Sequence, residues 1–117
     1  MKTGIELIEE ERKRQIEAEG YTPEHDEQYT TELFDAACCY YAAKRMRALN
    51  PNNKKLPSSW PWSAKFWKPS HDNRVRELEK AGALFMAHNE LKEKDIIIDD
   101  CVLMCASEID EINSKSN

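Results

Sequence analysis

Glycine is almost missing from this chain. Only Gly4, Gly20 and Gly82 stand in 117 residues, and no group of them forms the turn that lets a backbone wrap a phosphate. P-loop and dinucleotide-fold readings fall away with that absence. There is no GxSxG elbow and no HExxH, which removes the common serine-hydrolase and zincin arrangements. No stretch reaches the roughly 18 consecutive apolar residues of a membrane span. The opening MKTGIELIEEE turns acidic at once, unlike a secretory signal. A basic excess is missing too. Seventeen Lys+Arg face 22 Asp+Glu, a formal net charge of -5. That balance argues against an extended nucleic acid as partner, because such a binder needs a basic face to displace counterions.

The four cysteines, Cys38, Cys39, Cys101 and Cys105, make neither a CxxC knuckle nor a secreted disulfide framework. They read as reduced, mostly buried thiols of a cytoplasmic protein. The length suits one domain, 1–117, with a single core. The pattern is helical throughout. Thr3-Gly4-Ile5-Glu6 reads as a capping box, followed by a stripe of Ile5, Ile8, Arg12 and Ile16, and Gly20 is placed to end the helix. Thr30 or Thr31 is expected to cap a second helix running to about Leu49, apolar on nearly every face and therefore central. Asp72 is expected to cap a third helix, about 73–92, in which Gly82 permits a close helix contact. A fourth carries Ile98, Val102, Cys105, Ile109 and Ile112 at steps of three and four. Ile96-Ile97-Ile98 alone has strand character but no partner strand. The reading is all-α, about four helices in a small bundle, with a long Trp/Pro-rich loop at about 50–72 and a frayed tail at 114–117. So thin a core favours a homo-oligomer.

Chemistry concentrates in Tyr21–Asp35, YTPEHDEQYTTELFD, where carboxylates and an imidazole gather at the mouth of the apolar helix. Glu6 and Glu9 on the first helix, and Glu32 and Asp35 on the second, are pairs three residues apart. Each pair shares a helix face and presents two oxygens to one point. Hard cations such as Mg²⁺ or Mn²⁺ take such ligands and leave places for substrate phosphates. Glu24 and Asp26 are candidate general bases beside that metal, and His25 lies between them. Trp60, Trp62, Phe66 and Trp67 are able to stack on a nucleobase, with Lys65 and Lys68 beside them. Arg45, Arg47 and Arg74 are candidate phosphate contacts. His71 and His88 read as structural.

The two acidic pairs resemble the signature of the all-α nucleoside triphosphate pyrophosphohydrolases of the MazG type. The resemblance implies that Glu6, Glu9, Glu32 and Asp35 hold Mg²⁺ against a nucleotide's phosphates while water attacks. A second resemblance covers more of the chain. GIELIEEERKRQIEAEGYTPEHDEQY, ELFDAACCYYA, WPWSAKFWKPS and RELEKAGAL look like a widespread family of small phage and prophage proteins. It implies a viral origin, a working surface of Glu11, Glu19, Glu24, His25, Asp26 and Glu32, and the WPW loop as its cover. The chain departs from that pattern at Tyr29, where histidine is usual, and at His88, where an acid is usual. Tyr29 is therefore the residue expected to separate catalysis from binding. Three functions follow as expectations: a metal-dependent nucleotide phosphohydrolase, a non-catalytic sponge for a nucleotide immune signal, and a protein inhibitor of a host factor anchored by the tryptophan loop.

Overall fold

The computed structural model describes residues 1–20, 30–52, 56–90 and 96–115. Among these residues the regular structure is helical: α1 (Gly4–Glu19), α2 (Thr30–Leu49), a 3-10 turn at Ala64–Phe66, α3 (Arg74–Asn89) and α4 (Ile96–Lys115). The expected all-α bundle is the architecture that forms, and Ile96-Ile97-Ile98 is the opening of α4 rather than a strand. Among the described residues no helix is long and apolar enough to cross a membrane.

Local chemistry sets the helix ends. The Thr3 hydroxyl accepts from the Glu6 N–H, and the Glu6 carboxylate accepts from the Thr3 N–H at 2.9 Å, so two orphan donors are satisfied reciprocally. Gly20 closes α1 in the left-handed region, φ 72°, which a residue with a Cβ adopts only at a cost. Two expected caps are corrected. Helix α2 already includes Thr30, so neither Thr30 nor Thr31 is its N-cap. Asn73, not Asp72, caps α3; its side-chain Oδ1 accepts from the Arg76 N–H at 3.1 Å, and the helix ends at Asn89.

Helix α3 is central: α1, α2 and α4 all pack on it, and α1 also packs on α4. Its Ala81, Gly82, Ala83 and Ala87 are buried, and small side chains let three neighbours approach one helix. A Cβ at Gly82 would lie 2.5 Å from Ile8 Cδ1, which is the close contact the sequence anticipates. A second close approach has no sequence signal. A Cβ at Gly4 would lie 2.2 Å from the Ala106 carbonyl oxygen.

Chain directions follow from the contacts at each end of α3. Phe34 meets Phe85 and His88, with ring centroids 5.8 and 6.1 Å apart. At the other end Arg74 donates to the Tyr40 and Tyr41 carbonyls. Helix α2 is therefore antiparallel to α3. Helix α4 is antiparallel to α3 as well, since Asn89 donates to Asp99 at 2.6 Å while Arg74 reaches Glu108 at 4.0 Å. So α2 and α4 lie parallel to one another, and Tyr41 bridges them by donating to Glu108 at 2.7 Å.

The buried face of α1 is not the expected stripe. Gly4, Ile8, Glu11, Arg12 and Gln15 are buried, while Ile5 and Ile16 are half-buried. Charge pairing turns the helix: Arg12 donates to Glu90 at 2.7 Å, and Glu11 is held by two arginines. A buried charge is tolerated only when paired in this way. The same rule explains Glu77, whose side chain is 0% exposed. Arg47 grips it with both guanidinium nitrogens at 2.7 and 2.8 Å, and Arg74 adds a longer contact at 3.4 Å. The Ser70 N–H donates to it at 3.1 Å, which fixes the foot of the tryptophan loop to α3.

Candidate functional site

A cavity of about 190 Å³ opens between α1, α3 and the loop that carries the tryptophans. Tyr40, Trp60, Trp62 and Phe66 form one wall, and charged groups of α1, α3 and the loop form the other.

The aromatic wall is rigid because its members hold one another. Tyr40 stacks on Trp67 with centroids 4.8 Å apart, and Trp60 stands edge-on to Tyr40 at 5.6 Å and to Trp62 at 5.5 Å. Edge-to-face and offset pairs of this kind are favoured by the ring quadrupoles. Polar ties add to the packing. The Trp60 indole N–H donates to the Ser63 carbonyl at 3.1 Å, and the Lys68 N–H donates to the Tyr40 hydroxyl at 3.2 Å. Lys80 donates to the Lys68 carbonyl at 2.6 Å and lies 5.5 Å over the Tyr40 ring. The tryptophan loop is thus a packed wall of the molecule. Trp60 belongs to the core, while Trp62 and Trp67 are half-buried against it.

The charged wall is organised by Glu11, whose side chain is 1% exposed. Arg14 donates to it at 2.7 and 2.9 Å, Arg76 at 2.7 Å and the Gln15 amide at 3.3 Å. Burial pushes the Glu11 carboxyl up, but hydrogen bonds and charge from Arg14 and Arg76 outweigh it and hold the group below the ordinary range. Its lone pairs are committed, so it serves to orient two guanidinium groups rather than to accept a proton. Burial and the neighbouring Arg76 push the Lys80 ammonium down, and an arriving anion would reverse that. Glu79, also bound to Arg76, is pushed up chiefly by burial. Arg14, Lys68, Arg76 and Lys80 line the cavity against Glu11 and Glu19. A cationic site thus sits in a chain of net charge -5.

The residues singled out in the sequence distribute as follows. Trp60, Trp62 and Lys68 line the cavity, with Glu11 and Glu19 from the phage-type resemblance, and Trp67 stands behind Tyr40. Glu6 closes the capping box and Glu9 is exposed on α1. Glu32 and Asp35 are half-buried in the first turns of α2. Arg45 lines a different groove, between α2 and α4, and Arg74 is engaged with α2 carbonyls, Glu77 and Glu108. Glu24, His25, Asp26 and Tyr29 lie outside the described residues. Among the described residues no three His, Cys, Asp or Glu side chains are grouped to hold a metal ion.

Tyr40, Arg14, Gln15 and Lys80 are the site residues that sequence reasoning missed, while Arg76 reads only as part of a local basic rim suited to phosphate. ERKRQ and NRVRELEK read as solvated helix faces of mixed charge. Only the packing of α1 against α3 turns Glu11 and Arg76 toward each other across 65 positions of chain. A scan against protein-family models and searches of curated proteins and of solved structures return no match for this chain.

Proposed function

We propose that the cavity binds a nucleotide or nucleotide-derived small molecule and that the protein is a binding module for it. The observation that carries this reading is the convergence, in one cavity, of a rigid aromatic wall with guanidinium and ammonium groups. An aromatic face accepts any nucleobase and contributes about 1–3 kcal/mol per stacked base. Guanidinium groups oriented by a buried carboxylate suit a phosphate, which they meet with paired donors. The cavity volume lies below the roughly 300–1,000 Å³ of drug-sized sites, so it suits the base, with phosphates at the cationic rim. With the phage-type resemblance, the fitting role is sequestration of a nucleotide signal of host immunity.

Metal-dependent hydrolysis is the second reading. Glu32 and Asp35 favour it, standing one helical turn apart and half-buried at the start of α2. One experiment separates the two. Purified protein is screened by thermal shift against a nucleotide panel, with and without Mg²⁺ or Mn²⁺, and the bound ligand is recovered after denaturation. Binding predicts a stabilising nucleotide recovered intact, with the shift lost in Trp62→Ala and Arg76→Ala. A cleaved product that requires metal would move the assignment to the hydrolase. No shift with any nucleotide rejects both.

A further inference from the structure

Helices α2 and α4 lie parallel on the same side of α3 and leave a groove between them. Tyr41, Arg45, Ala48, Glu108 and Ile112 line its lower part. The groove continues upward along two stripes at steps of three and four. Phe34, Cys38 and Tyr41 form the α2 stripe, and Ile97, Cys101 and Met104 the α4 stripe. Such a face is unusually open for its composition: Ile97 is 70% exposed, Met104 40% and Phe34 37%. Its charges are sorted along its length. Asp35 and Asp100 stand toward the end where both helices begin, and at the end where both finish Lys44, Arg45, Arg74 and Lys115 outnumber Glu108 and Glu111.

We propose that this face is the contact of a two-fold homodimer in which a second copy docks antiparallel, α2 against α2 and α4 against α4. A two-fold axis lying in the face and perpendicular to the helices makes it its own complement. The acidic end of each copy then meets the basic end of the other, around an apolar middle at Cys38, Tyr41 and Met104. A parallel arrangement would set like charges together. The helix dipoles reinforce the choice, since two parallel helices add their dipoles and an antiparallel copy offsets both. Two helices of 20 residues span about 30 Å. At roughly 10–12 Å of width each with side chains, the pair offers a footprint of about 600–700 Å², somewhat under the ~800 Å² per partner of a standard stable interface. The ligand cavity lies on the far side, between α1, α3 and the tryptophan loop, and stays open in the dimer.

Sedimentation velocity or light scattering of the intact chain at micromolar concentration tests the proposal. The expected mass is twice the 13.6 kDa of one chain. Met104→Asp is expected to give a monomer with unchanged helical circular dichroism. Arg45→Glu is expected to weaken association at least tenfold, and adding Asp35→Arg to restore it, because the pair exchanges charge across the two-fold. A monomeric wild type overturns the proposal. So does a Met104→Asp protein that folds and keeps the dimer mass, or a charge exchange that restores nothing.

Discussion

Replacing Glu77 by glutamine changes one atom type and hardly any volume, yet the structure makes it a damaging substitution. Glu77 Oε1 faces Arg47 and Arg74, and Oε2 faces Arg47 and the Ser70 N–H. An amide in either orientation points an NH₂ at two donors. It also removes the closest counter-charge of two arginines, 26% and 14% exposed. Removing one partner of a buried ion pair costs about 3–5 kcal/mol, a large share of the ~5–15 kcal/mol that holds a domain folded. At roughly 4–8 °C per kcal/mol for a domain of about this size, the melting temperature should fall by at least ~12 °C. Far-UV circular dichroism on heating reads the loss. Tryptophan fluorescence reads a second consequence, because Ser70 anchors the tryptophan loop. Arg47→Met should cost less, since Arg74 and the Ser70 N–H remain on the carboxylate. A Glu77→Gln protein melting within about 4 °C of wild type, or an Arg47→Met protein that melts lower than it, would refute the argument.

Four further outcomes follow from the same structure. Gly4→Ala should destabilise by about 1–3 kcal/mol, because the new Cβ meets the Ala106 carbonyl oxygen, which is backbone. Gly82→Ala meets the Ile8 side chain instead, so Ile8→Val should recover part of its loss in chemical denaturation. Glu11 has a folded pKa below its ordinary 4.5, so its pairing contributes fully above pH 4.5 and is lost as pH falls through the lower folded value. Acid unfolding measured in wild type and Glu11→Gln should show a flatter low-pH limb in the variant. Tyr41 is pushed up to about 12 by its hydrogen bond to Glu108, then by burial and that residue's charge. That contribution is complete below pH 10 and disappears between 10 and 12, and phenolate absorbance should show one tyrosine titrating late, and earlier in Glu108→Gln.

What was legible in the sequence was local. The capping box at Thr3 and Glu6, the left-handed Gly20, the span of α2 and the close contact at Gly82 all follow from short-range patterns, and the structure shows each of them. The α3 cap slipped by one residue because Asp72 and Asn73 are both good caps, and only backbone geometry chooses between them. The cavity was half legible. Tryptophans in a long loop announce a packed wall, so Trp60, Trp62 and Lys68 could be named. Arg14 and Lys80 could not, because a basic side chain in a mixed-charge helix looks solvated until the helix crossing is known. Arg74 shows the converse: the sequence reads it as a phosphate contact and carries no signal for the Tyr40 and Tyr41 carbonyls that its guanidinium meets in the fold.

The junction of α1 with α4 bears on how the chain comes apart. Gly4 lies against Ala106, and its N–H donates to Asp110 at 2.7 Å across 106 positions of sequence. The first helix therefore begins on the last one, and the described chain closes into a ring. Helical bundles commonly open by peeling a terminal helix, but here neither end helix detaches without breaking its hold on the other. Joining the existing ends and cutting elsewhere should be tolerated.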